Sequence, residues 1–370
     1  MASSSFIRLL HINSYYFTNK IHYNFRNELE KKNVVNEYFV PLYKNAKNVF
    51  EDAGVNKFYI YKRYDKIFFF TKIIKAYFTL KKNNKLDQIS LIHAHTLISD
   101  GLIAYLVYLI DKKKYVVTIR NTDINYFLPN FLFRFIGKII IKNSNQVFCI
   151  SPTYRDKVLS VFPDIPNTKF EVLPNGIDPY WSKNQKKESK KIDKNVINIL
   201  FVGRLDQNKN LQLLLKFMKT YNDRVYILTI AGENVLNYDF AKIERSLPGS
   251  NRVVFLGHID KIQNLLNVYR NNDVFVLLSY RETFGVSYIE SLSQGLPIIY
   301  TENEGIDGFF RDGEVGYRSN PQNLGQLKAN IDMIVENYPK LSQNAVTAID
   351  KFQWSVIIQR YCTIVEKITK

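Results

Sequence analysis

One stretch constrains this chain more than any other: Tyr280–Tyr300, YRETFGVSYIESLSQGLPIIY. It follows an apolar run, Asp273–Ser279, that reads as a buried strand. Arg281, Glu282 and Thr283 form a polar turn. Beyond Gly285, the residues Val286, Ile289 and Leu292 recur at helical spacing. Gly295 suits the left-handed position after a helix, Pro297 stops its continuation, and Ile298-Ile299 opens the next strand. Two carboxylates are thereby fixed, Glu282 before the helix and Glu290 inside it, seven residues between them. The amides of Phe284, Gly285 and Val286 are left free at the helix start, where the backbone dipoles favour an anion such as phosphate. Spacing alone also suits a plain strand–loop–helix with Glu282 as an N-terminal acid and Glu290 solvated.

Three further segments stand in order along the chain: IHAHTLISDG (92–101), LPNGID (173–178) and FVGRLDQNKN (201–210). Together with Glu282-x7-Glu290 and its Gly-Leu-Pro turn, they resemble the retaining glycosyltransferases of family 4. The resemblance covers nearly the whole chain. It implies an α/β GT-B fold, two Rossmann-like domains facing each other across a cleft. An acceptor-binding domain would span 1–178 and a nucleotide-sugar-binding domain 179–352, with 179–195 as linker. The last helix, 353–370, would cross back to the first domain.

Residue by residue, the resemblance assigns Glu290 to the ribose hydroxyls and Glu282 to the transferred sugar. Arg204 and Lys209, five apart on a strand–Gly–helix turn, would meet the donor diphosphate with the amides of Phe284, Gly285 and Val286. Gly257, His258 and Ile259 would hold the base through backbone groups. Arg120 stands where the family places a histidine that contacts the reacting sugar, and Asp123 matches the family's acid in that motif. Both therefore join Glu282 as candidate catalytic residues. An arginine cannot act as a general base, but it can neutralise a phosphate or orient a hydroxyl. Asn13, Tyr15, Tyr16 and His95 fall on the acceptor side. The loop Asn13–His22 lacks the paired glycines of the family, so Tyr15, Tyr16 and Phe17 form either an acceptor platform or core.

At 370 residues the chain has room for two domains. Its longest apolar run, Leu102–Ile110, reaches about half a bilayer span, and the N-terminal MASSSFIRLLHINS lacks a basic signal-peptide start. Cys149 and Cys362 stand far apart, as expected of thiols in a reducing compartment. His93 and His95 have no third ligand nearby in sequence, so no metal is expected. The net charge is +17, of which residues 1–180 carry +12 with 26 Lys and Arg against 14 Asp and Glu. Lys183, Lys186, Lys187, Lys190, Lys191 and Lys194 add a basic linker. Such a surface suits nucleic acid, anionic lipid or phosphorylated substrate, and A/T-rich coding produces the same composition, so charge alone names no partner.

In Phe127–Asn143, Arg134, Lys138 and Lys142 recur every fourth residue beside Phe131, Phe135 and Ile139. This is the pattern of a helix facing an anionic membrane, and equally of a core helix with a solvated basic edge. Lys66–Lys85 is a second, less regular candidate. The function implied by the resemblance is retaining transfer of a sugar from a nucleotide diphosphate, a UDP-sugar, to a hydroxyl acceptor. A lipid-linked saccharide in bacterial surface polysaccharide synthesis is the implied acceptor. The implied place is the cytoplasm, peripheral on the inner face of the plasma membrane. No Asp-x-Asp triplet occurs, so a metal clamp on the diphosphate is not expected, and the resemblance implies neither a cofactor nor a nucleic-acid partner. A nucleotide-sugar epimerase of the same fold and a non-catalytic basic scaffold remain as rivals.

Overall fold

The computed structural model describes residues 7–46, 50–186 and 191–370. Phe6, at the start of the run 6–12 that reads from sequence as a first strand, and Lys187 and Lys190 of the linker lie outside them. The chain divides into two compact units, Met1–Gly176 with Trp354–Lys370, and Ile177–Gln353. The division falls at the Pro174–Asp178 turn and just before the last helix.

The first unit carries seven parallel strands: β1 (Ile7–Ile12), β2 (Val34–Tyr43), β3 (Lys57–Tyr61), β4 (Leu91–Ala94), β5 (Tyr115–Ile119), β6 (Gln146–Cys149) and β7 (Phe170–Val172). Their order is β3-β2-β1-β4-β5-β6-β7. Successive side chains point to opposite faces of a strand. Leu10, Ile92, Val117 and Val147 therefore enter one core. Leu9, Leu91, Val116 and Phe148 enter another, against Trp354, Ile358, Tyr361 and Val365. The latter four lie at helical spacing on Trp354–Thr369, so the C-terminal helix completes the first sheet's second face.

The second unit repeats the pattern with six parallel strands: β8 (Val196–Val202), β9 (Val225–Ala231), β10 (Arg252–Phe255), β11 (Val274–Leu277), β12 (Ile298–Thr301) and β13 (Gly316–Ser319). Their order is β10-β9-β8-β11-β12-β13. In both sheets the winding direction reverses beside the first strand, between β1 and β4 and between β8 and β11. Parallel sheets of this kind offer a ligand site beyond the carboxyl ends of those two strands.

The basic stripe is corrected by the structure. Its helix begins at Phe131, with Asn130 accepting from the Leu132 amide at 3.0 Å. Lys138 and Lys142 both pair with Asp164, at 2.9 and 3.0 Å, and hold its carboxyl down at about 2. Arg134 donates to the Leu128 carbonyl. The three cations do not form a free row; the exposed residues of this helix include Phe131, Leu132 and Phe135.

Candidate active site

In the second unit, β8 and β11 each end in a loop, and the two loops are tied together. Asn208 accepts from the Arg281 amide at 3.0 Å and donates to the Arg281 carbonyl at 2.9 Å. Its own carbonyl takes the Tyr280 amide. Asn210, in the left-handed conformation at φ 53°, donates to the carbonyls of Leu278 and Pro321. These contacts bring Lys209 onto Glu282, with Nζ 2.6 Å from Oε2. Glu282 is 9% exposed; its amide donates to the Glu304 carboxylate, and its carbonyl accepts the Gly305 amide at 2.7 Å. A Cβ on Gly305, at φ +53°, would lie 2.8 Å from Glu282 Cγ, so only glycine fits there.

The next helix runs Val286–Ser293, preceded by Gly285 at φ 76°. Among the described residues, the amides of Phe284, Gly285 and Val286 donate to no acceptor. Glu290 projects from this helix to accept from the Tyr269 hydroxyl at 3.0 Å. Burial raises its carboxyl to about 7; the Tyr269 hydrogen bond opposes this, nearby Asp178 adds to it, and a bond from Trp181 opposes it. Arg204 is exposed and lies 3.7 Å from Glu233, while Lys209 lies on Glu282, so the two cations hold different partners. Gly257, His258 and Ile259 follow β10, and His258 is exposed beside Asp260.

In the first unit the ends of β1 and β4 carry imidazoles. His11 Nδ1 lies 3.0 Å from His95 Nε2, and His11 Nε2 lies 3.3 Å from Asn36. His93 is bonded to Tyr361 and Thr118. His22 sets its ring edge-on to His95. Burial holds His11 down at about 4 and the other three well below the ordinary histidine value, so all are neutral. Ligating atoms of His11, His93 and His95 lie within 4.8 Å of one another. The third imidazole comes from the adjacent strand, where local spacing could not show it. A cavity beside them is lined by His22, His95, Arg120, Asn175 and Trp354. Arg120 donates from Nε to the His95 carbonyl, and burial lowers its guanidinium to about 10.

Residues 182–351 match the family described as Glycosyl transferases group 1, and residues 23–181 match Glycosyltransferase Family 4. The chain belongs to this glycosyltransferase family. It is 25% identical over 308 residues to the alpha-monoglucosyldiacylglycerol synthase of Acholeplasma laidlawii, covering 72% of this chain and 75% of that protein. A Klebsiella pneumoniae protein described as an uncharacterized 41.2 kDa protein in the cps region is 24% identical over 307 residues, 80% of this chain and 83% of its own. Among solved structures, the apo lipopolysaccharide outer core galactosyltransferase WaaB superposes with TM-score 0.77 at 16% identity, covering 98% and 99% of the two chains. Anabaena HepE, solved in complex with UDP-glucose, superposes at 0.68 with 14% identity, covering 98% and 100%. The two parallel sheets and these likenesses together show the GT-B fold.

Not every expected site residue of the glycosyltransferase is available to a ligand. Asp123 is fully buried, and its carboxylate accepts the amides of Leu97, Ile98 and Arg120. It is corrected from a catalytic candidate to a positioning residue that fixes the loop bearing Arg120. Tyr16 is fully buried, gives its hydroxyl to Asp52 at 2.6 Å, and belongs to a small core with Phe17, Tyr38 and Val40. It is therefore core, whereas Tyr15 stays exposed. Asn13 is buried and caps the Tyr15 amide. Sequence reasoning missed Asn208 and Asn210 as the clip, Tyr269 and Trp181 around Glu290, and His11 and His22 beside His95. The DQNKN run after β8 held the only local signal, since short amides favour left-handed and turn backbone.

Proposed function

We propose that this glycosyltransferase moves a sugar, with retention, from a UDP-sugar to a hydroxyl on a lipid-linked saccharide. The observation that carries the reading is the Lys209–Glu282 pair beside three amides that have no acceptor among the described residues, at the ends of β8 and β11. A diphosphate entering there would draw on Lys209, Arg204 and the Phe284–Val286 amides, all preset for negative charge. As Lys209 turns to phosphate, the Glu282 carboxylate is released to accept a hydroxyl of the sugar. Glu290 would take the ribose hydroxyls, and the Gly257–Ile259 backbone the base. The acceptor oxygen then bonds to the anomeric carbon on the face the diphosphate leaves. The bond to the diphosphate breaks with its electron pair, and a leaving phosphate oxygen takes the acceptor proton. No metal is needed in this scheme, because cationic side chains and amides meet the departing charge.

The lipid-linked part rests on a different observation. Ile67, Phe70, Ile74 and Phe78 recur every three or four residues and stay exposed, Ile67 at 80%. Phe131, at 82%, and Phe135 continue the apolar surface, bridged by the Phe69–Phe133 contact at 5.3 Å. Among the described residues no helix is long and apolar enough to cross a membrane. A row of apolar side chains on a basic protein is suited to lie in the headgroup boundary of an anionic leaflet. The site we assign is thus peripheral, at the inner face of the plasma membrane.

Incubation with radiolabelled UDP-, GDP- and ADP-sugars, with and without a bacterial membrane extract, tests the reading. Label should move from a UDP-sugar into extractable lipid only when extract is present. Formation of an epimer without an acceptor would replace this reading with an isomerase, and absence of nucleotide binding would replace it with a scaffold.

A further inference from the structure

A second cavity of the first unit, about 160 Å³, lies apart from the imidazoles and is lined by Ser14, Tyr15, Tyr43, Tyr61 and Lys72, among others. Lys72 reaches it from the helix Phe69–Asn83. Its Nζ stands 4.8 Å from the ring centre of Tyr61, 5.4 Å from that of Tyr43 and 5.8 Å from that of Phe69. Among the described residues this ammonium makes no ion pair, whereas neighbouring Lys75 and Lys81 of the same helix pair with Asp65 and Asp111. Tyr61 is 1% exposed, and its hydroxyl has no hydrogen-bond partner among the described residues. Ser14 is fixed by giving both its amide and its hydroxyl to Asp100.

Burial pulls the Lys72 ammonium below its ordinary value, chiefly through lost solvation, with Asp100 and Asp65 acting the other way. A half-buried cation packed on aromatic rings, with Asp100 and Asp65 near but no carboxylate at ion-pair distance among the described residues, recovers only part of its hydration, and an anion in the cavity would recover more. The ring walls offer flat apolar faces of the kind that cover the C–H face of a sugar, and a buried, unpartnered hydroxyl adds a donor. We propose that this cavity is a subsite for an anionic saccharide, a sugar bearing a carboxylate or phosphate group. Lys72 pairs with the charge, the Tyr61 hydroxyl donates to the same group or to a ring hydroxyl, and Tyr15 and Tyr43 cover the ring. The inference rests on reading the first unit as the acceptor unit, and it names the acceptor's chemistry: a charged sugar rather than a neutral one.

The test is ligand-observed NMR titration of the full chain with D-glucuronate, D-glucose 6-phosphate, D-glucose and inorganic phosphate. At least one anionic sugar should bind about tenfold or more tightly than glucose, the effect of one charge-assisted contact. Lys72→Met should bring it to the level of glucose, Lys72→Arg should retain the preference, and Tyr61→Phe should weaken it a few-fold. Equal binding of glucose and both anionic sugars, or an unchanged preference in Lys72→Met, would overturn the subsite. Inorganic phosphate binding as tightly as glucose 6-phosphate would reduce it to an adventitious charge site and overturn it too. If Lys72→Met melts early, Lys72→Gln carries the comparison. UDP-glucose binding on the same samples reads the second unit by itself, so its persistence separates failure of this subsite from failure of the proposed function.

Discussion

At the carboxyl end of β11, a carboxylate and an ammonium meet at 2.6 Å beside amides without an acceptor among the described residues, and two asparagines lock the loops that bring them there. At the corresponding end of β4, the first unit sets His93 and His95 in a stack 4.0 Å apart, with His11 and His22 against them, all neutral. The two sheets share one strand order through their first six strands, so topology does not explain the contrast. Side-chain charge does. The second unit sets fixed charge where a diphosphate would arrive, and the ends of β1 and β4 in the first carry neutral imidazoles, with Arg120 entering beside them from the loop after β5. The proposed division of labour would thus be carried by what stands at these strand ends.

The largest effect that sharpens this comparison is expected at Glu282. Glu282→Gln should lower turnover about 100-fold or more, the scale of removing one preorganised electrostatic group, with the melting profile nearly kept. Rates within a few-fold of the parent would remove Glu282 from the chemistry. Next comes Lys209→Ala, which deletes both the ion pair and the cation aimed at phosphate. Donor affinity by calorimetry should fall by about 1.5–3 kcal/mol, and Arg204→Ala should cost less because that side chain is exposed. A double variant with Glu282→Gln should be non-additive, since the two side chains touch. Additive losses would mean the pair is incidental.

The first unit is tested at its surface. Phe70, Ile74 and Phe78 changed together to Ser should weaken binding to anionic vesicles at least about tenfold, because each apolar side chain contributes on the order of 1.5 kcal/mol or more when buried. Lys138→Glu with Lys142→Glu should have the smaller effect, since Asp164 already engages both lysines. The opposite ranking would restore the basic stripe as the membrane contact.

The smallest effect is a pH dependence. Burial lifts Glu290 from 4.5 to about 7, so between those values the folded chain holds a proton that the unfolded chain has released. That contribution to stability is full below the unfolded value and is lost as pH rises through about 7. Asp100 and Asp123, raised by burial to about 6, act in the same direction. Glu290→Gln should therefore shrink the drop in Tm between about pH 5 and about pH 8. An unchanged drop would place the titration elsewhere.

Much of the second unit was legible because its signals are local. The run from Asp273 to Tyr300 encodes strand, turn, helix, stop and strand within one stretch, and the structure places β11, the helix Val286–Ser293 and β12 there. The first unit was less legible because its site is assembled by pairing. His11 and His93 are register partners on neighbouring strands, 82 residues apart in sequence, and no spacing rule joins them. The basic stripe of 134–142 misled because periodicity shows which residues share a face but not what lies opposite; Asp164 comes from the segment beyond the next helix. Asp123 misled for a related reason. A carboxylate in a motif looks like chemistry until three backbone amides are found on it.

Hydrogen exchange of the full chain, with and without a UDP-sugar, tests the division of labour most directly. The account predicts that the donor alone slows exchange at the amides of Phe284, Gly285 and Val286, with further protection at Gly203–Lys209 and Gly257–Ile259, and leaves the loops after β1 and β4 unchanged. Protection confined to the loops after β1 and β4, with the Phe284–Val286 amides exchanging as before, would contradict it.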